Sequence, residues 1–152
     1  MLSGAIKEII NQNTIGSVAT ISEEGKPCVS PKGTFVVRDD STLVFANIRS
    51  PGTIRNLKAN KAVEVTFLDI FHRTACRVAG EADYLERGET EAVRYFGRFA
   101  EKWPTLVGLM EGFVVIHVTA ASYLTSPIYD VGMKRDDLAD FWLDYYTKLL
   151  AR

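Results

Sequence analysis

Ile15-Gly16-Ser17-Val18-Ala19-Thr20-Ile21-Ser22, then Glu23-Glu24-Gly25-Lys26-Pro27, then Cys28-Val29-Ser30-Pro31-Lys32, is the stretch whose reading sets the fold. In residues 15–22 the side chains of Ile15, Ser17, Ala19 and Ile21 oppose those of Val18 and Thr20, the period of two that marks a strand. Residues 23–27 bring two acids, a glycine, a lysine and a proline together, which stops a strand and reverses the chain. With strand-like residues resuming at Cys28, the stretch predicts an antiparallel hairpin.

Upstream, Leu2, Ile6, Ile9 and Ile10 fall on one helical face, with Lys7, Glu8 and Asn11 elsewhere, so a short amphipathic helix is expected across one end of the core. Downstream, Cys28–Lys32, Thr34–Arg38 and Thr42–Asn47 read as strands broken by Pro31-Lys32-Gly33 and by Asp39-Asp40-Ser41, and are expected to be consecutive antiparallel neighbours. Ser50-Pro51-Gly52 then opens a helix through Ile54 and Leu57 that ends near Ala59-Asn60. Ser50 is placed to cap it, and Pro51 suits its first position.

Two further strands are expected at Ala62–Asp69 and Arg73–Leu85, separated by a turn around Phe71-His72. Gly80 inside the second marks a bulge or a close backbone approach. Glu89–Lys102 reads as a helix with Ala92, Val93, Phe96 and Phe99 on its apolar face, Phe113–Leu124 as a long strand, and Asp136–Leu150 as a helix displaying Leu138, Phe141, Trp142, Tyr145 and Leu149. Tyr95, Phe96, Phe99 and Trp103 at helical spacing read as core, and Trp142, Tyr145 and Tyr146 as docking of the last helix. Six or seven strands with antiparallel connections do not form the alternating order of a parallel sheet. The expected class is mainly β (α+β), an antiparallel barrel with covering helices, because closure removes exposed edges.

The chain has 152 residues, 47% of them hydrophobic and 24% charged, which suits one domain over 1–152 with a sizeable core. Its 18 Lys+Arg against 19 Asp+Glu give a formal net charge of -1, so a nucleic-acid partner is not expected and any phosphate site must be a local cluster. The start, Met1-Leu2-Ser3-Gly4, lacks the basic region and apolar run of a signal peptide, and no apolar run is long enough for a bilayer, so a cytoplasmic protein without a membrane partner is expected. Cys28 and Cys76 both fall in strand-like segments and are expected as reduced, buried thiols. The two histidines, His72 and His117, stand far apart with no metal-ligand spacing and no nucleophile motif nearby. No metal and no hydrolytic centre is expected, and catalytic residues are left unassigned.

Two clusters carry possible chemistry. Residues 46–57, Ala46-Asn47-Ile48-Arg49-Ser50-Pro51-Gly52-Thr53-Ile54-Arg55-Asn56-Leu57, deliver two arginines and hydroxyl groups to a helix start, where free amides and the positive helix end favour a phosphate. The plainer reading is a capped helix with solvated arginines. The second cluster, Val29-Ser30-Pro31-Lys32-Gly33-Thr34, puts proline and glycine inside a strand, so that a flat ligand can lie on the backbone with Lys32 at its anionic edge; the plainer reading is a bulge that bends a barrel strand.

Taken in order, the N-terminal helix, Ile15-Gly16-Ser17-Val18-Ala19-Thr20, the hairpin, Ser30-Pro31-Lys32-Gly33, Phe45-Ala46-Asn47, Asn56-Leu57-Lys58-Ala59-Asn60-Lys61-Ala62-Val63 and Arg77-Val78-Ala79-Gly80-Glu81-Ala82 resemble the pyridoxamine 5′-phosphate oxidase-like FMN-binding split-barrel family. The resemblance implies a split barrel and a homodimer with FMN at the subunit interface. By position it implies phosphate contacts from Arg49, Ser50, Thr53 and Arg55, with Asn56 supporting the corner. Ser30, Pro31, Lys32 and Gly33 would line the ring or ribityl side, and Ala46 and Asn47 would lie beneath it. It further implies a flavin-mediated redox reaction with a donor such as NAD(P)H and a small-molecule substrate. The chain departs from the vitamin B6 oxidases at its C-terminal region, Ser126-Pro127-Ile128-Tyr129-Asp130 and an amphipathic helix, and Ser50-Pro51-Gly52 occupies the neighbourhood of their basic phosphate pair. A non-enzymatic FMN carrier, or a split barrel for haem or deazaflavin, are the alternatives.

Overall fold

The computed structural model describes residues 1–152. Alternation in the first hairpin sets the two faces of the sheet: β1 (Gly16–Ile21) buries Gly16, Val18 and Thr20 and exposes Ser17 and Ile21, and pairs antiparallel with β2 (Pro27–Lys32). β3 (Phe35–Val37), β4 (Thr42–Asn47), β5 (Ala62–Asp69), β6 (Thr74–Glu86) and β7 (Gly112–Thr125) complete a seven-stranded sheet of order β2-β1-β5-β6-β7-β4-β3 in which every neighbour is antiparallel. Four helices accompany it: α1 (Gly4–Gln12), α2 (Pro51–Ala59), α3 (Thr90–Lys102) and α4 (Arg135–Leu150).

β2 and β3 are the two edges of this sheet, yet only Gly33 and Thr34 lie between them. So short a link holds the edges together and curls the sheet into a barrel. Across its interior Phe35 of β3 meets Phe67 of β5 edge to face, ring centroids 4.7 Å apart. Gly16 lies against both rings, where a Cβ would come within 2.8 Å of each. The expectation that residues 28–32, 34–38 and 42–47 are consecutive neighbours is corrected at its first step. The turns at 22–26 and 38–41 reverse the chain and give β2 and β3 their partners β1 and β4, whereas Gly33-Thr34 carries it onward without reversal.

The sheet separates two apolar cores. Inside the barrel, Val18, Leu43, Phe45, Val65, Phe67 and Ile116 pack with Leu2, Ile6, Ile9 and Ile10, so α1 closes one end as its spacing predicts. On the outer face Val44, Ala46, Phe113 and Val115 pack with Ala92 and Phe99 of α3 and with Met110. All six residues of β4 are buried because it has a core on each side. Phe96 and Trp103 join this second core as expected, against Phe113 and Phe99, whereas Val93 is 62% exposed. In α4 only Leu138 is buried, while Phe141, Tyr145 and Leu149 remain exposed.

At Gly80 the β6–β7 register shifts, and a Cβ there would stand 2.2 Å from the His117 carbonyl oxygen, so the expected bulge and the close approach are one feature. Cys76 is buried, and burial pushes its thiol up to about 11. Cys28 is exposed, correcting the expectation of burial: it sits on an edge strand with no sheet beyond it. No helix is long and apolar enough to cross a membrane.

Candidate functional site

β4 ends at Asn47, and the chain turns through Ile48-Arg49 into α2, which packs on β1 and β6. Asn56 fixes that docking by donating from Nδ2 to Thr20 Oγ1 at 3.0 Å, both residues buried. Between the start of α2 and the β1–β2 hairpin lies a cleft of about 460 Å³, a volume in the range of small-molecule sites. Ser30 and Lys32 form its β2 wall, and Arg49, Ser50, Thr53 and Arg55 its α2 wall.

The electrostatics of the cleft are unbalanced. Lys26, Lys32, Arg49 and Arg55 all line it, and none has a carboxylate within 4.0 Å. The Lys32 ammonium donates only to Ser30 Oγ, at 2.5 Å, and burial holds its pKa below the usual lysine value. A cation partly stripped of water and without a counter-ion is stabilised by an anionic ligand. Glu23 and Glu24 line the cleft from the hairpin turn, where Glu24 accepts from Ser22 Oγ at 2.9 Å.

The helix start adds donors. Pro51 occupies its first turn as expected, but Ser50 makes no capping hydrogen bond with its side chain, because its backbone (φ -134°, ψ 47°) departs from the extended geometry of a capping residue. Ile54 N–H donates to the Ser50 carbonyl at 3.0 Å, whereas the amides of Gly52 and Thr53 have no acceptor within the chain. Two free N–H groups, two buried hydroxyls and the positive end of the helix dipole thus face a cleft with four unpaired cations, an arrangement suited to a phosphate group.

Of the residues singled out in the sequence, Ser30, Lys32, Arg49, Ser50, Thr53, Arg55 and Asn56 meet in this cleft. Pro31, Gly33, Ala46 and Asn47 do not line it. Pro31 alternates to the opposite face of β2 from Ser30 and Lys32, and Gly33 lies in the link to β3. Ala46 packs beneath α3. Asn47 is buried, with Nδ2 donating to Tyr84 Oη at 3.0 Å and its Oδ1 left without a partner. Sequence reasoning missed Thr20, Ser22, Lys26 and Cys28. Thr20 carried a usable signal, a hydroxyl on the same side of β1 as Val18.

The histidines stay outside. His72 Nδ1 lies 2.7 Å from Asp69 Oδ2, and the exposed His117 has Nε2 3.1 Å from Asp83 Oδ2. No three His, Cys, Asp or Glu side chains are grouped to hold a metal.

Comparison with solved structures gives HupZ of Group A Streptococcus at 25% identity, covering 83% of this chain and 96% of that one, with a TM-score of 0.70. An FMN-binding protein of Syntrophomonas wolfei matches at 17% identity over 79% of this chain and 84% of its own, TM-score 0.65. HutZ, the haem storage protein of Vibrio cholerae, matches at 19% identity over 81% and 94%, TM-score 0.65. No curated protein matches the chain. The family model for pyridoxamine 5′-phosphate oxidase matches residues 2–125. With most of its length matched and its antiparallel sheet curled as in these structures, the chain belongs to the pyridoxamine 5′-phosphate oxidase family and has its split-barrel fold.

Proposed function

We propose that the chain binds FMN in the cleft and acts, as a homodimer, as a flavin-dependent oxidoreductase on a small molecule. The observation that carries the reading is the phosphate-ready corner: Arg49 and Arg55 without counter-ions beside the free amides of Gly52 and Thr53. Arg49, Arg55, Ser50 and Thr53 hold the phosphate, and Asn56 keeps α2 seated on Thr20. Ser30 and Lys32 face the ribityl and ring side. Bound FMN supplies hydride or electron transfer, with NADH or NADPH as donor, and the protein binds and orients it. Exposed Val29, Leu68 and Leu124 on the outer face of the sheet favour a second copy of the chain. The Syntrophomonas wolfei neighbour favours the same cofactor. Haem, suggested by the Vibrio cholerae neighbour, is the weaker reading for this cleft because no histidine lines it.

The test is the visible absorbance of the purified chain after loading with FMN and removal of free ligand by gel filtration. Flavin bands eluting with a dimer are expected, and bleaching by NADH or NADPH then separates an oxidoreductase from a passive flavin carrier. A loaded sample that elutes colourless overturns the FMN assignment.

A further inference from the structure

A second cavity, also of about 460 Å³, lies between the β5–β6 turn, the segment after β7 and α4, and shares no residue with the cleft. Ile128, Met133, Leu138 and Phe141 give it apolar walls, and Arg73, Ser126 and Trp142 are its polar residues. The Arg73 guanidinium stacks on the Trp142 ring, its central carbon 3.5 Å from the ring centroid. Stacking occupies the face of the guanidinium and leaves its in-plane donors free. None is used: Arg73 has no carboxylate within 4.0 Å and no side-chain hydrogen bond, and its Nε is buried without a partner. The Trp142 indole Nε1 is likewise buried and unpartnered.

Two buried donors left unpaired beside one apolar cavity are costly, and native structures rarely keep them so. The backbone carries a further cost at the same place, since Arg73 is the single non-glycine residue with positive φ, 49°. Glycine would sit there without strain but would supply no charge.

We propose that this cavity binds a small monocarboxylic acid with an apolar ring or chain. The carboxylate pairs with the Arg73 guanidinium and the Trp142 N–H, and the apolar body lies among Ile128, Met133, Leu138 and Phe141. One cation and two N–H donors match a singly charged, planar acceptor. A phosphate dianion suits the hydroxyl- and amide-rich cleft instead. The site is independent of the FMN assignment.

The experiment uses the full chain with Trp103→Phe, which makes Trp142 the only tryptophan. Phenylacetate is expected to change Trp142 fluorescence saturably, while neutral phenylacetamide binds at least tenfold more weakly. Arg73→Gln should weaken phenylacetate binding at least tenfold and leave phenylacetamide unchanged. Arg73→Gly, free of backbone strain, should fold, keep its FMN affinity and show the same loss of phenylacetate. No saturable response to phenylacetate, equal affinity for acid and amide, or undiminished binding by a folded Arg73→Gly variant each overturns the proposal.

Discussion

Lys32→Met separates a functional cation from an ordinary surface lysine. In the free protein the Lys32 ammonium is half-buried, donates to Ser30 alone and has its pKa lowered by desolvation, so it is held at a cost to the fold. A charge-assisted hydrogen bond contributes about 1.5–3 kcal/mol. Partial exposure places Lys32 at the lower end, so its loss should weaken FMN binding by roughly tenfold. Folding should respond in the opposite direction. A lysine whose folded pKa lies below 10.5 binds fewer protons folded than unfolded in the window between the two values, so stability rises with pH there. Methionine removes both the cost and that slope. Affinity for FMN in the parent protein should fall as pH rises through the lowered Lys32 pKa, and in the variant that fall should flatten. Flavin fluorescence titration across pH and thermal unfolding of the cofactor-free protein read the two effects. Unchanged FMN affinity, or a variant less stable than its parent at neutral pH, refutes the reasoning.

Gly80→Ala places a Cβ 2.2 Å from a backbone carbonyl oxygen of β7, which cannot yield as a flexible side chain would. A loss of about 3 kcal/mol is expected, read as a lower urea midpoint at unchanged slope, and a change below ~0.5 kcal/mol would mean that the bulge absorbs it. A thiol reagent should modify Cys28 alone in the native protein and both cysteines after unfolding, because Cys76 is buried with its thiol pushed up to about 11. Since Cys28 lines the cleft, bound FMN should slow its modification, and an unchanged rate would place the ligand elsewhere.

Element positions were legible in the sequence because the periods were clean: α1 from Leu2, Ile6, Ile9 and Ile10, β1 from Val18 and Thr20, and the bulge from Gly80. Pairing was less legible. Alternation announces a strand without naming its partner, and the residues around Pro31-Gly33 look like a turn although they join two edges. For the site, Arg49 to Asn56 could be read because a helix start is a local feature. Lys26 was hidden by its role in a turn, whereas the side of Thr20 was readable from its alternation with Val18 and only its nearness to α2 was not. The family resemblance puts Ala46 and Asn47 beneath a bound ring; in the chain Ala46 packs in the second core under α3 and Asn47 donates to the Tyr84 hydroxyl, partners that position in sequence does not reveal. The apolar face of α4 was visible, but not that its own chain leaves most of it uncovered.

The short link between β2 and β3 also bears on how the chain folds. The β1–β2 and β3–β4 hairpins are local and form fast, whereas β1–β5 and β4–β7 pair distant segments, Gly16 with Phe67 and Thr42 with His117, and face the entropy of closing long loops. Because Gly33-Thr34 ties one early hairpin to the other, whichever of the distant pairings forms first brings the remaining hairpin to the growing sheet at high effective concentration. The seam then serves as a kinetic tether, and the second closure follows the first with little further search.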